Sequence, residues 1–252
     1  MPLRRSLFAT ALVALPALAQ AQPAPLVVCA TPDLQAGLTQ LEALWRAQGG
    51  RPLRLQFAAM PALARQVEQG SPCDLLALPD PRRMDQLEQR RLLRPETRRS
   101  ALAQQVVLLT TAARPVPRRL MLGAELPQLL GQDRLALPDP ALSALGRAAR
   151  EALAHHGQWE ALATNLLLAP DAPTALELLR RDQARFAVAT AADAAAHPEF
   201  RLALTFPAAS HAPLLHAFAL PRRADFAAGA LLAFILGPDA APLWLRLGFF
   251  PS

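Results

Sequence analysis

The chain has 252 residues, 52% hydrophobic and 18% charged, with 25 Pro and 11 Gly. It is too apolar to stay disordered and long enough for one large domain or two lobes with separate cores. The formal charge of +6 rests on Arg alone, in scattered pairs (Arg82-Arg83, Arg90-Arg91, Arg98-Arg99, Arg180-Arg181); with 5% aromatics and no Tyr to stack bases, this argues against a nucleic-acid reader.

In chain order, Met1 to Ala21 has the form of a secretory signal. Arg4-Arg5 form a basic start, Leu7 to Leu18 an apolar run, and Ala19-Gln20-Ala21 a small-x-small cleavage pattern. The run is shorter than the ~20 residues needed to cross a bilayer, so export without stable membrane insertion is expected. Leu26 to Ala30 reads as a strand, Leu34 to Gln48 as an amphipathic helix stopped by Gly49-Gly50, and Leu53 to Phe57 as a second strand. Pro61 to Gln69 is a second helix closed by Gly70, and Asp74 to Leu78 a third strand. Such β-α-β units demand parallel strands with right-handed crossovers.

The pattern restarts at Val106 to Thr110, a strand, followed by a strand at Arg134 to Leu137 and a helix at Leu145 to His156. Thr174 to Arg181 is helical, Phe186 to Thr190, Leu202 to Phe206 and Leu214 to Leu220 are strands, and Phe226 to Leu236 and Ala240 to Leu247 are closing helices. The stretches near 105 and 212 are the natural crossings between two lobes. The expected class is therefore α/β, with a signal at 1–21, one lobe from 22–105 plus 212–252, a second from 106–211, and each sheet mostly parallel.

Cys29 and Cys73 would occupy opposite ends of neighbouring parallel strands. That arrangement favours two separate, partly buried thiols over a bridge. Neither cysteine has CxxC or metal-type spacing, and no GxSxG, HExxH, P-loop or GxGxxG occurs. The histidines (His155, His156, His197, His211, His216) have no carboxylate or Cys at metal spacing, and His155-His156 suits the last turn of a helix. No cofactor, no resident metal and no catalytic group are expected, and no oligomer signal is visible. The reading is of a monomer that is not an enzyme.

Four segments resemble the periplasmic molybdate-binding proteins of ABC transporters. Leu63 to Asp74 resembles the family's LAxQIExGAPAD, and Leu135 to Pro140 with Gly146 to Leu153 and Trp159 resembles LAxxDPxxxPAGxYAxEAL…W. Thr205-Phe206-Pro207 with Ser210-His211 matches TFPxxSH, and Gly237 to Ala241 with Leu247-Gly248-Phe249 matches GPxAxxxxxxxGF. The resemblance implies a type II solute-binding fold that holds an oxyanion, molybdate or tungstate, between its lobes and delivers it to a permease. In that family hydroxyls and backbone amides at helix starts hold the anion. Carried across, the two serine positions fall at Asp33 and Met60, in the loops of Thr31 and Ala59; the backbone donors fall at Leu145 and Ala172, and the tyrosine hydroxyl at Thr190. Thr31 and Ser143 offer replacement hydroxyls.

A carboxylate ~4 Å from a unit negative charge costs about 4 kcal/mol at an effective dielectric of ~20. Asp33 therefore either points away as an N-cap, is protonated, or meets a ligand that is not a dianion. Two alternatives follow: the same fold binding a less anionic or organic solute, or a solute-binding-deficient sensor or interaction protein. An exported hydrolase is a distant third.

Overall fold

The computed structural model describes residues 24–114, 116 and 125–251, so the signal segment at 1–21 lies outside the described residues. The chain begins with β1 (Leu26–Ala30), α1 (Gln35–Ala47), β2 (Leu53–Phe57), α2 (Met60–Glu68), β3 (Leu75–Leu78), α3 (Pro81–Gln89) and β4 (Arg99–Gln104). It continues through β5 (Val106–Thr111), α4 (Glu125–Leu130), β6 (Leu135–Pro138), α5 (Ala144–His155), α6 (Trp159–Leu162) and β7 (Leu166–Ala169). Then come α7 (Ala172–Arg180), β8 (Phe186–Thr190), α8 (Ala191–Ala196) and β9 (Phe200–Thr205). The return consists of β10 (Leu214–Ala219), α9 (Ala228–Ile235), α10 (Ala241–Arg246) and β11 (Phe249–Pro251).

These strands form two sheets, ordered β11-β4-β10-β3-β1-β2 and β7-β6-β8-β5-β9. In the first, β1 pairs in parallel with β2 and β3, whereas β10 runs antiparallel to both β3 and β4, and β11 antiparallel to β4. In the second, β6 is parallel to β7 and β8, while β5 is antiparallel to β8 and β9. Most strands of each sheet share one direction, as expected, but the sheets are mixed: β10 inside and β11 at the edge are reversed in the first, and β5 inside the second. The cause is the crossing: only Gln105 separates β4 from β5, so the chain cannot turn back and enters the second sheet from its opposite end.

Burial on both faces explains why β1 is wholly apolar instead of alternating. Leu26, Val28 and Ala30 face a cluster with Leu38 of α1, Leu231 of α9 and Trp244 of α10. Val27 and Cys29 face Leu63 and Val67 of α2 and Met84 of α3. The second sheet repeats this, with Val106 and Leu108 against α5 and Val107 and Leu109 against α7. Trp244 anchors the closing helices: its indole N–H donates to the Ile235 carbonyl at 2.9 Å. A Cβ on Gly37 would overlap the Trp244 ring, so only glycine allows α1 to pack so closely.

Cys29 and Cys73 are joined in a disulfide with Cα atoms 6.0 Å apart, which corrects the expectation of separate thiols. The strands are indeed parallel neighbours, with Val28 opposite Leu75. Cys73, however, lies ahead of β3, in the bend where the Asp74 amide donates to the Val27 carbonyl at 2.7 Å. The bend carries Cys73 onto the sheet face that Cys29 occupies, in one cluster with Leu63 and Val67. Strand register alone does not describe a residue outside the strand.

The bridge spans a sequence separation of 44, for which lost unfolded-chain entropy is worth about 4 kcal/mol. Cys29→Ser/Cys73→Ser should lower the unfolding free energy by that order in urea titration. An unchanged midpoint would show that the bridge contributes nothing.

Candidate functional site

A cavity of about 940 Å³ opens between the two sheets. Its wall is built largely from helix starts. The 3-10 turn Pro32–Leu34 follows β1 and α2 follows β2, while α5, α7 and α8 follow β6, β7 and β8. Local sequence sets these starts. Pro32, Pro61 and Pro173 each stand at a first or second helical position, where a missing N–H costs no hydrogen bond. Ser143 caps α5 by accepting from the Gly146 amide at 3.4 Å, and Asp171 caps α7 by accepting from Thr174 at 2.9 Å. The amides of Ala144, Leu145 and Ala172 precede any intrahelical carbonyl acceptor, and all three residues line the cavity. A Cβ on Gly146 would overlap the Pro138 carbonyl oxygen, so glycine lets the first turn of α5 lie against the end of β6.

The acidic groups are also internally engaged. Asp33 accepts a hydrogen bond from His216 Nε2 at 2.6 Å, across 183 residues of sequence. It does not serve as an N-cap: neither the Pro32–Leu34 turn nor α1 has a side-chain cap. His216 is 1% exposed and Asp33 34%, so the imidazole forms the floor and the carboxylate the surface of the pair. Burial pushes the Asp33 carboxyl up, but the charge and hydrogen bond of His216, with smaller effects of Thr31 and the Asp33 amide, leave it below its ordinary 3.8.

Thr190 and Asp193 form a capping box at α8. The Thr190 hydroxyl donates to Asp193 Oδ2 at 2.8 Å and accepts from the Asp193 amide at 3.1 Å. Its proton, which the sequence reading offered to a ligand, is thus already held by Asp193. Burial pushes Asp193 up and hydrogen bonds from Thr190 pull it down, while the charge of Asp33 pushes it up again; the net shift is upward. Among the described residues, no Lys or Arg lines the cavity.

Among the residues singled out by sequence, Asp33, Ala59, Leu145, Ala172 and Thr190 lie on the cavity wall, as does Ser143. Thr31 and Met60 do not. Thr31 is 5% exposed, and Met60 packs beside the Leu63 and Val67 cluster. Sequence reasoning missed His216, Asp193 and Gln104. The buried polar residue inside the apolar strand Leu214–Ala219 was the available signal for His216. Gln104 ends β4 at the crossing and carries a buried, unpartnered Nε2. Among the described residues, one ion pair joins elements of the two sheets across the cavity: Arg147 of α5 reaches Asp80, the cap of α3, at 3.1 Å.

A family model described as "Bacterial extracellular solute-binding protein" matches residues 26–250. The chain belongs to this family. The molybdate-binding protein ModA of Escherichia coli is 29% identical over 92% of this chain and 91% of its own length. The solved substrate binding domain of a molybdenum ABC transporter from Clostridium difficile superposes with a TM-score of 0.80 at 19% identity, covering 90% of this chain and 99% of its own. The periplasmic molybdate-binding protein of Azotobacter vinelandii gives 0.70 at 17% identity, covering 89% and 98%. These solute-binding proteins share the two-lobed α/β fold. Among the described residues, no helix is long and apolar enough to cross a membrane, and no group of three or more His, Cys, Asp or Glu is placed to hold a metal ion.

Gly146→Ala should cost about 1–3 kcal/mol in thermal or chemical unfolding, because the new methyl has to displace the end of β6. Asp33 contributes stability above its unfolded pKa of 3.8, and that contribution is lost as pH falls through its lower folded value. Acid unfolding of Asp33→Asn should therefore be flatter than wild type below about pH 4. Coincident curves would show the pair to be energetically silent.

Proposed function

We propose that this chain is a periplasmic receptor that binds an oxyanion between two lobes, 22–105 with 212–252 and 106–211, and delivers it to the permease of an ABC importer. One observation carries the reading: helix starts from both sheets converge on a single cavity and leave the amides of Ala144, Leu145 and Ala172 without intrahelical acceptors. Such amides, with the partial positive charge of helix N-termini, hold an anion without a cationic side chain. Ala59, at the start of α2, brings the first lobe to the same space. Molybdate and, by chemical analogy, tungstate are the first oxyanions to test, by likeness to the molybdate-binding protein ModA of Escherichia coli and Haemophilus influenzae. Closure of the lobes over the ligand would create the surface that a permease reads.

The family resemblance supports a binding protein and not an enzyme. The signal at 1–21 would direct export and then be removed, and the mature protein would act as a monomer without cofactor. A second reading, a less anionic or organic solute, is favoured by Asp33 and Asp193 on the cavity wall.

Isothermal titration of the mature protein with molybdate, tungstate, sulfate and phosphate tests the assignment. At least one should bind with measurable heat, and X-ray scattering should report a smaller radius of gyration with that ligand. No heat and no thermal shift for any oxyanion would overturn it.

A further inference from the structure

Resting on the oxyanion reading, we propose that the solute is an organic oxyanion that also carries a cationic group, such as an amine-bearing phosphonate or phosphate monoester. The cavity lining carries two chemically distinct kinds of group. The start of α5 is capped by Ser143, an uncharged residue, and presents the Ala144 and Leu145 amides. The lining also carries Asp33 from the first lobe and Asp193 from the second, close enough that the charge of Asp33 is felt at Asp193, together with Asp171, whose carboxylate caps α7. Among the described residues His216 is the only basic side chain on the lining, and it is already engaged with Asp33.

A bare dianion in this cavity gains from the amides and loses to the carboxylates. A solute with separated charges gains from both. The cavity volume of about 940 Å³ lies at the upper end of the roughly 300–1,000 Å³ typical of organic-ligand sites, leaving space beyond a tetrahedral anion. Two lining residues also retain buried polar atoms without partners, Gln104 Nε2 and His216 Nδ1. Gln104 is 8% exposed and His216 1%, so bulk water does not satisfy them. Buried polar groups of this kind mark places where a ligand or bound water completes the hydrogen bonding.

Charge arithmetic sets the expected size. At an effective dielectric of ~20, a unit charge ~4 Å from a carboxylate changes affinity by up to about a thousandfold. Solvent reaching the partly exposed Asp33 reduces this, and about tenfold is the minimum expected.

The test is isothermal titration of the wild-type mature protein with 2-aminoethylphosphonate, ethylphosphonate, inorganic phosphate, molybdate and ethanolamine. The expected result is that 2-aminoethylphosphonate binds at least about tenfold more tightly than ethylphosphonate, an advantage that shrinks with added salt. In Asp33→Asn that ratio should collapse towards one; if the variant does not fold, the wild-type ratio and its salt dependence decide. If ethylphosphonate, phosphate or molybdate binds as tightly as 2-aminoethylphosphonate, the inference is overturned and the oxyanion reading stands. If no oxyanion binds, with or without an amine, or ethanolamine binds as well as 2-aminoethylphosphonate, the oxyanion reading falls and this inference falls with it.

Discussion

Strands that run parallel need connecting helices, and each such helix starts at the edge where its strand ends. In this chain β1, β2, β6, β7 and β8 all deliver a helical turn to the same interior space. Two sheets facing each other by those edges necessarily enclose a gap lined with unfulfilled amide donors. The single-residue crossing at Gln105 enforces the facing arrangement, because β4 continues into β5 without room to reverse. The cavity is thus a consequence of topology before any side chain is chosen.

Side chains then decide what that gap accepts. Where hydroxyls would extend the set of donors, the chain places Asp33, engaged with His216, and a Thr190 hydroxyl whose proton goes to Asp193. These pairs lower the cost of burying carboxylates, since each acid has hydrogen-bond donors of its own. They also change the field that a ligand meets. The amides of α5 remain attractive to an oxyanion, whereas the carboxylates on the lining attract positive charge and hydrogen-bond donors.

The framework around the cavity is tied at several points. The Cys29–Cys73 bridge fastens the segment before β3 to the strand whose next turn carries Asp33. Gly248, at φ +79, lies so close to the Ala191 backbone that any Cβ there would overlap it, which seats the turn between α10 and β11 on the start of α8. The Arg147–Asp80 pair crosses the cleft with both side chains at most one-third exposed. An isolated pair of this kind is worth roughly 0–1 kcal/mol.

The apolar runs and punctuating glycines were sufficient to locate β1, β2, β3, β5, β6, β8 and the main helices, because burial on both faces and helical periodicity are local patterns. The order of characteristic segments led to five residues of the cavity wall: Asp33, Ala59, Leu145, Ala172 and Thr190. The polar strand Arg99–Gln104 and the short strands β7 and β11 left little local signal: their pairing depends on neighbours far along the chain. Only the tertiary structure decided that Cys73 reaches Cys29, that Asp33 meets a histidine 183 residues away, and that Met60 turns to the core. The physical reason is the same each time. Periodicity and capping are fixed by residues a few positions apart, whereas charge pairing and covalent bridging depend on the path that brings distant segments together.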